Sequence, residues 1–338
     1  MRLSVLMPTH ERPETLRLAM ASVRRQEFED WELLVCGDGC GAETEAVMAE
    51  ACRTDERIRW FPLPKAPGFG YANRNLVLQQ ARGELIGFAA HDNLVFTDHW
   101  ARLVACFDDP DLALASSSAA WIDDAGRLIP TIFNLADRAL RARFIATTHN
   151  RMPANAFVYR RALHDTVGMW DPTLDRRGDL DLWSRILRHA GEGAFCYLPV
   201  VSFLHFRGLW KAAAGIGDPQ EEGVWPRLFA EPGRLPPALT LPVPSGVLPQ
   251  QAAFERLHGP EGGRWQDEVR AACALALESN AWECEVAWMA ERKAALKLEQ
   301  TVARREAEIA ELKQALRRRP TFWQRLAARL AGKPAGPS

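Results

Sequence analysis

The chain has 338 residues, 47% hydrophobic and 25% charged, with a formal net charge of -1 at pH 7. That length supports an ample core and more than one unit without covalent staples, and the balanced charge gives no electrostatic bias toward nucleic acid, which is excluded as a partner. Seven scattered cysteines, with Cys36 and Cys40 the nearest pair and no CxxC spacing, read as core or loop thiols of a reducing, cytoplasmic compartment rather than a zinc site or a disulfide framework. The opening MRLSVLMPTHERPE is too short in apolar residues for a signal peptide. No uninterrupted apolar run reaches the roughly 18 residues of a membrane span, so a chain that neither crosses a membrane nor is exported is expected.

Strand and helix alternate from the start. Leu3 to Met7 is a short apolar run stopped by Pro8 and reads as a buried strand. Pro13 and Glu14 open a helical pattern with Leu16, Met20 and Val23 on one face and Arg24 and Arg25 at its end. Trp31 to Val35 gives a second strand, Thr44 to Cys52 a second helix, Ile58 to Phe61 a third strand, Tyr71 to Arg82 a third helix and Leu85 to Phe88 a fourth strand. Short connections between alternating elements predict a right-handed, mostly parallel α/β sheet flanked by helices. In such sheets ligands bind outside the carboxyl ends of the strands.

Three polar clusters fall at those ends: Pro8-Thr9-His10-Glu11-Arg12, Gly37-Asp38-Gly39 and, closing the run GELIGFAAHDN, His91-Asp92-Asn93. Between the third strand and its helix, APGFGYANRN offers Gly68 and Gly70, where backbone can approach a phosphate, with Arg74 behind. Taken singly, Asp38 and Asp92 read equally as turn or cap residues, and it is their convergence that points to a ligand.

Thr97 or Asp98 is expected to cap a helix to Phe107, Leu112 to Trp121 forms a strand, and Asp123 to Gly126 a turn. From Leu128 to Arg151 a loop and a short helix are expected, as part of an acceptor site. Ala156 to Tyr159 is strand-like and Arg161 to Val167 helical. In GDLDLWSRILRHAG, Leu182, Trp183, Ile186 and Leu187 repeat at helical spacing and Gly191 fits the position after the helix end. Asp179 starts this helix, where it serves either as an N-cap or as a carboxylate poised for general-base work. Phe195 to Phe203 is a strand leading into His205.

The segments SVLMPTHERPETL, LLVCGDGC, ANRNLVLQQARGELIGF, GMWDPTL and GDLDLWSRILRHAG, in that order, resemble the inverting family 2 glycosyltransferases over residues 1 to 210. The resemblance implies the GT-A fold, with a nucleotide half and an acceptor half. It implies further that Thr9 and Glu11 line a nucleotide-sugar pocket with Arg74 and His91 near it, that Asp38 bonds the base, and that Asp179 is the general base. Asp92 would be the last acid of a DxD metal motif, with His205 as a further contact to the diphosphate or to a bound Mn or Mg ion. Three departures stand out: Ala90 replaces the first acid of the motif, Gly37 one acid of the pair before Gly39, and Gly178 the glutamate that often precedes the base.

The expected activity is transfer of a sugar from a nucleotide-sugar donor to a hydroxyl acceptor in surface polysaccharide or glycolipid assembly. The alternative is a non-catalytic nucleotide-sugar-binding scaffold with a degenerate motif. Residues 1-215 would form the GT-A domain and the proline-rich 216-250 a linker or strap. Residues 251-319 would form a long helical region, either a coiled coil joining copies of the chain or a helix packed on its own domain, with Val302 and Ile309 in the seam. Residues 320-338 form a basic amphipathic tail carrying Phe322, Trp323, Leu326 and Leu330, suited to an anionic membrane surface and lipid-linked glycan acceptors at the inner face of the membrane, or else solvated.

Overall fold

The computed structural model describes residues 1-123, 125-146, 152-174, 177-206, 236-278, 300-302, 304-310, 326-327 and 329-332. The first half follows the alternation closely: β1 (Leu3–Thr9), α1 (Pro13–Arg24), β2 (Trp31–Asp38), α2 (Ala42–Thr54), β3 (Ile58–Leu63), α3 (Tyr71–Leu78) and β4 (Leu85–Phe88). These strands lie in the order β3-β2-β1-β4, all parallel, so Thr9, Asp38 and the segment after Phe88 reach the same edge. Apolar side chains on both faces explain why β1 and β2 read as continuous runs: Leu3, Val5, Leu6, Leu33, Leu34 and Val35 are fully buried.

The α3 helix stops at Leu78 instead of continuing to Arg82, and the reason is a buried acid. Glu32 on β2 accepts hydrogen bonds from Ser4 Oγ (2.7 Å), the Arg82 N–H (2.7 Å) and Arg59 (2.9 Å), which draws the chain after α3 off the helical path. Burial alone would raise its pKa, but the Ser4, Arg82 and Arg59 donors outweigh it and hold the carboxyl below its ordinary value.

Beyond β4 the elements are β5 (Leu94–Val95), α4 (His99–Ala105), β6 (Leu114–Ile122), β7 (Leu128–Thr131), α5 (Arg138–Ala146), β8 (Phe157–Arg160), α6 (Leu163–Val167), α7 (Gly178–His189) and β9 (Phe195–Phe206). Among the described residues the sheet has nine strands in the order β3-β2-β1-β4-β8-β6-β9-β5, with β7 beside β6. Its second half is mixed: β8 runs antiparallel to β4 and β6, β9 parallel to β6, and β5 antiparallel to β9. The α/β GT-A-type class thus holds, with parallel pairing confined largely to the first half.

Several expectations shift locally. The stretch from Leu128, expected as loop and short helix, begins with β7, which pairs through the Asp123 turn with β6 alone. Pro130 hid this strand, because a residue with no N–H is accommodated only at such an edge. Asp98 occupies the N-cap position of α4 but makes no cap bond; its carboxylate holds Arg102 and Arg270 instead. Asp179 is likewise no cap: Arg177, in the left-handed conformation (φ 63), precedes the helix and Asp179 lies inside its first turn. Ala190 is extended, so the left-handed glycine after α7 is Gly193 and not Gly191. Strand β9 extends to Phe206 and carries His205 within it.

The α7 helix is fixed by an aromatic cluster. Trp183 meets the Phe157 ring edge-on at 4.3 Å and the Phe88 ring at 5.1 Å, and Trp170 stands 5.6 Å from Phe88. This packing holds the start of the helix over the end of β4.

A second core lies under β5 and β9. Here α8 (Pro249–His258) and the helix over residues 262-278 (α9) bury Leu257, Trp265, Val269 and Cys273 against Leu94, Phe96, Leu204 and Phe206. Residues 1-278 therefore form one compact unit and 279-338 another, so the first thirty or so residues of the helical region expected over 251-319 belong with the sheet. Within the second unit, residues 300-302 and 304-310 are helical, with Val302 and Ile309 exposed, and Leu330 is 82% exposed. The remaining seam positions, Phe322, Trp323 and most of the strap lie outside the described residues.

Candidate functional site

Two adjoining cavities open at the carboxyl ends of β1, β2 and β4. The first, about 400 Å³, is lined by Thr9, Arg12, Asp38, Lys65, Arg74 and His91 among others. The second, about 310 Å³, is lined by Asp92, Trp121, Trp170, Asp179 and His205. Arg74 and His91 line both. A larger groove of about 1010 Å³ runs between α1, α2 and residues 246-248, but it lies along helix faces away from the strand ends where the polar clusters converge.

Asp38 ends β2 inside a closed set of donors. The Ala66 N–H (2.8 Å) and Asn73 Nδ2 (2.7 Å) bond Oδ1, and Lys65 pairs with Oδ2. Burial alone would raise its pKa; these donors more than offset it and hold the carboxyl below the ordinary value. A Cβ at Gly70 (φ 72) would stand 2.7 Å from this carboxylate, so only glycine fits at the turn. Thr9 is buried and its hydroxyl donates to the Glu11 carbonyl (3.3 Å). Glu11 itself points elsewhere: its carboxylate accepts the Gly41 N–H (2.8 Å) and does not line either cavity.

Asp179 is held from two sides. Its Oδ1 accepts Arg74 NH1 (3.0 Å) from α3 and Trp170 Nε1 (2.8 Å). Asn75 clamps the Trp170 backbone in both directions, accepting its N–H (3.0 Å) and donating to its carbonyl (2.7 Å). The Arg74 guanidinium lies over the rings of Tyr71 and Trp170, at 5.1 and 5.7 Å. With Oδ1 engaged twice, Oδ2 is the oxygen left for a ligand, and the side chain is 32% exposed.

The segment after β4 is pinned by Asn155, whose Oδ1 accepts the Ala90 N–H (3.0 Å) and Asn93 Nδ2 (2.9 Å). His91 Nδ1 lies 3.0 Å from the Pro8 carbonyl and its Nε2 3.2 Å from Arg12. Asp92 is 17% exposed, with Arg12 at 4.0 Å. His205 lies against Trp121, its cross-strand neighbour, with the ring centroids 4.3 Å apart and the planes tilted by 55°.

Two of the departures noted in the sequence have a steric cause. A Cβ at Gly37 would fall 2.2 Å from the Trp60 ring, and one at Gly178 2.5 Å from the Tyr71 ring, whose hydroxyl accepts the Gly178 N–H (3.0 Å). Aromatic rings fill the places where acids were expected.

Of the residues singled out in the sequence, Thr9, Asp38, Arg74, His91, Asp92, Asp179 and His205 come together and Glu11 does not. Arg12, Lys65, Asn73, Asn155 and Trp170 were missed. Arg12 stood in the first strand-end cluster without a role of its own, and Lys65 and Asn73 gave no signal until folding closed them on Asp38.

The Mn or Mg ion implied by the resemblance would find Asp92 and His205 on one cavity wall. No group of three or more metal-ligating side chains exists among the described residues. Ala90 offers no donor, Asp92 has the Arg12 guanidinium beside it, and Asp179 is paired with Arg74. This donor set does not by itself make a site for a divalent ion.

Residues 4–168 match the glycosyl transferase family 2 model. The chain is 33% identical over 92 residues to a GalNAc(5)-diNAcBac-PP-undecaprenol beta-1,3-glucosyltransferase of Campylobacter jejuni, covering 27% of this chain and 30% of that one. It is 33% identical over 91 residues to the UDP-Glc:alpha-D-GlcNAc-diphosphoundecaprenol beta-1,3-glucosyltransferase WfgD of Escherichia coli, covering 27% and 35%. The alignments thus span about a third of those enzymes. Among solved structures, S. aureus TarS 1-349 superposes with a TM-score of 0.51 at 19% identity over 61% of this chain and 60% of that one. Its complex with UDP gives 0.50 at 16% identity over 80% and 70%. Residues 4–168, just under half of the chain, thus form a glycosyl transferase family 2 domain.

Proposed function

We propose that this chain is an inverting glycosyltransferase that moves a sugar from a nucleotide-sugar donor to a hydroxyl acceptor. The observation that carries the reading is Asp179, fixed through Oδ1 by Arg74 and Trp170 with Oδ2 open to a cavity that shares Arg74 and His91 with the strand-end cavity. In this reading the nucleoside occupies the Thr9 and Asp38 side and the acceptor the Trp121 and Trp170 side. Oδ2 of Asp179 takes the acceptor proton, the acceptor oxygen bonds the anomeric carbon, and the bond from that carbon to the diphosphate breaks with its electron pair on the phosphate oxygen. No step is routed through a metal ion.

Support for a nucleoside diphosphate comes from TarS, solved with UDP, and support for a lipid-linked glycan acceptor from the undecaprenol-linked substrates in the relatives' names. Action at the inner membrane face, self-association through residues 279-319 and docking of the basic tail on anionic lipid belong to the same reading. No helix among the described residues is long and apolar enough to cross a membrane.

Screening UDP-, GDP- and dTDP-sugars for acceptor-dependent release of nucleoside diphosphate tests the activity. Asp179→Asn is expected to lower turnover about 10²- to 10⁴-fold while leaving nucleotide affinity unchanged; full turnover in that variant removes the base assignment. A second reading, a nucleotide-sugar-binding scaffold, is favoured by Ala90 and by the rings at Gly37 and Gly178. Binding without turnover on any of the three donor classes would select it.

A further inference from the structure

We propose that Arg12, steered by His91, is the side chain that neutralises the diphosphate of the bound nucleotide, so that nucleotide binding by this chain needs no divalent cation. The inference rests on the donor-site reading above and names the group that holds the phosphates.

The backbone comes first. Glu11 and Arg12 are both left-handed (φ 55 and 69), and Arg12 sits at the N-cap position of α1 without capping it by its side chain. Two consecutive non-glycine residues in this conformation persist only where the surroundings impose it, and such strain gathers at ligand sites. The effect here is to turn the guanidinium across the end of β1 toward the segment after β4, where it meets His91 at 3.2 Å.

The histidine tautomer then fixes its aim. The Pro8 carbonyl can only accept, so His91 Nδ1, at 3.0 Å, carries the hydrogen. In the neutral ring Nε2 is left as an acceptor, and Arg12 NH1 donates to it. One N–H of the fork is thereby used for positioning, and the other donors stay available.

Charge distinguishes Arg12 from its neighbours. Lys65 is paired with Asp38, and Arg74 with Asp179 at 3.0 Å. The nearest carboxylate to Arg12 is Asp92 at 4.0 Å, the limit of an ion pair, and the side chain is 36% exposed. Of the three cations on the first cavity, Arg12 keeps the most unspent charge. Its planar fork suits two phosphate oxygens at once. It lines the cavity that holds Thr9 and Asp38, and His91 beside it lines the cavity of Asp92 and Asp179 as well. A diphosphate that joins a nucleoside in the first cavity to a sugar in the second passes this point.

The donor set on the acceptor side fits the same conclusion. An ion held by Asp92 would lie within a few ångströms of the Arg12 guanidinium, and like charges at that distance repel. With Ala90 contributing no second carboxylate, the motif supplies only Asp92 against that repulsion. Guanidinium and metal ion are thus alternatives at this place, and the residues present favour the guanidinium.

The test is calorimetry on the full chain with UDP, GDP and dTDP and with the matching monophosphates, in EDTA and in Mn²⁺. The diphosphate that binds is expected to bind equally in both. Arg12→Asn, a residue that tolerates the left-handed backbone, is expected to weaken diphosphate binding about 10- to 100-fold and monophosphate binding much less, with an unchanged melting temperature. Arg12→Lys is expected to fall between, retaining charge without the fork. Binding that requires Mn²⁺ in the wild-type chain, or Arg12→Asn binding like wild type, overturns the assignment and leaves the donor-site reading standing. Failure of all three diphosphates to bind under either condition overturns both.

Discussion

At the scale of single residues, the site depends on groups that hold other groups. Trp170 gives one indole hydrogen bond to Asp179 and is itself clamped by Asn75. Trp170→Phe keeps the ring that packs on Phe88 and Trp183 but removes that donor. The expected outcome is a fall in kcat of about tenfold, from loss of one hydrogen bond to a charged group, with KM for the donor unchanged. A matching rise in KM would show that Trp170 serves binding and not the base. Asp38, Asp92 and Asp179 were legible in the sequence because each closes a strand or opens a helix. Trp170 was not, since a tryptophan between glycine-rich and acidic turns reads as core, and only the return of α7 over β4 brings its nitrogen to a carboxylate.

At the scale of elements, apolar runs and helical spacing revealed β1 through β4 within a few residues, because both faces of a parallel strand are buried and the signal is uninterrupted. What stayed hidden depended on partners distant in the chain. Glu32, 50 residues before Arg82, ends α3 from β2, and Pro130 disguises β7. The α9 helix read as the start of a long helical arm because its apolar face, carrying Trp265, Val269 and Cys273, is compatible with either a seam or a core. Its attachment is specific: Arg270 donates to the Val201 carbonyl (3.0 Å) and pairs with Asp98, and Gln266 accepts the Thr97 N–H (3.2 Å). A chain ending at residue 278 is therefore expected to melt as the full chain does. One ending at residue 248 loses α8 and α9 and uncovers Phe96, Leu204 and Phe206, and is expected to melt well below it or to aggregate. Equal melting temperatures for the two truncations would show that the second core contributes nothing to the fold.

At the scale of the whole molecule, buried titratable groups set an acid limit. Burial pushes His99 down to about 3 and His164 and His258 down to about 4, from an ordinary value of 6.5. Between those limits the unfolded chain binds protons that the folded chain refuses, so stability rises with pH across the window and is lost as pH falls through it. Glu32, Asp38 and Asp98, all held below their ordinary values, add stability that is present above about pH 4 and lost below it. Urea midpoints are expected to fall steadily from pH 7 to pH 4.5. A midpoint unchanged from pH 7 to pH 5 would mean that these histidines reach solvent in the folded chain.

The rings beside Gly37 and Gly178 decide which substitutions the site can accept. With Trp60 and Tyr71 in place, and Cβ distances of 2.2 and 2.5 Å, neither position can take an acid by a single substitution without a clash. Tyr71 is the more binding constraint, because its hydroxyl also receives the Gly178 N–H that starts the α7 helix. An acid at position 178 therefore requires a smaller ring at position 71 first, and with it a form in which that helix start has lost its anchor. The two positions therefore change only in a fixed order, ring before acid, so a design that seeks a further carboxylate here must begin at Trp60 or Tyr71.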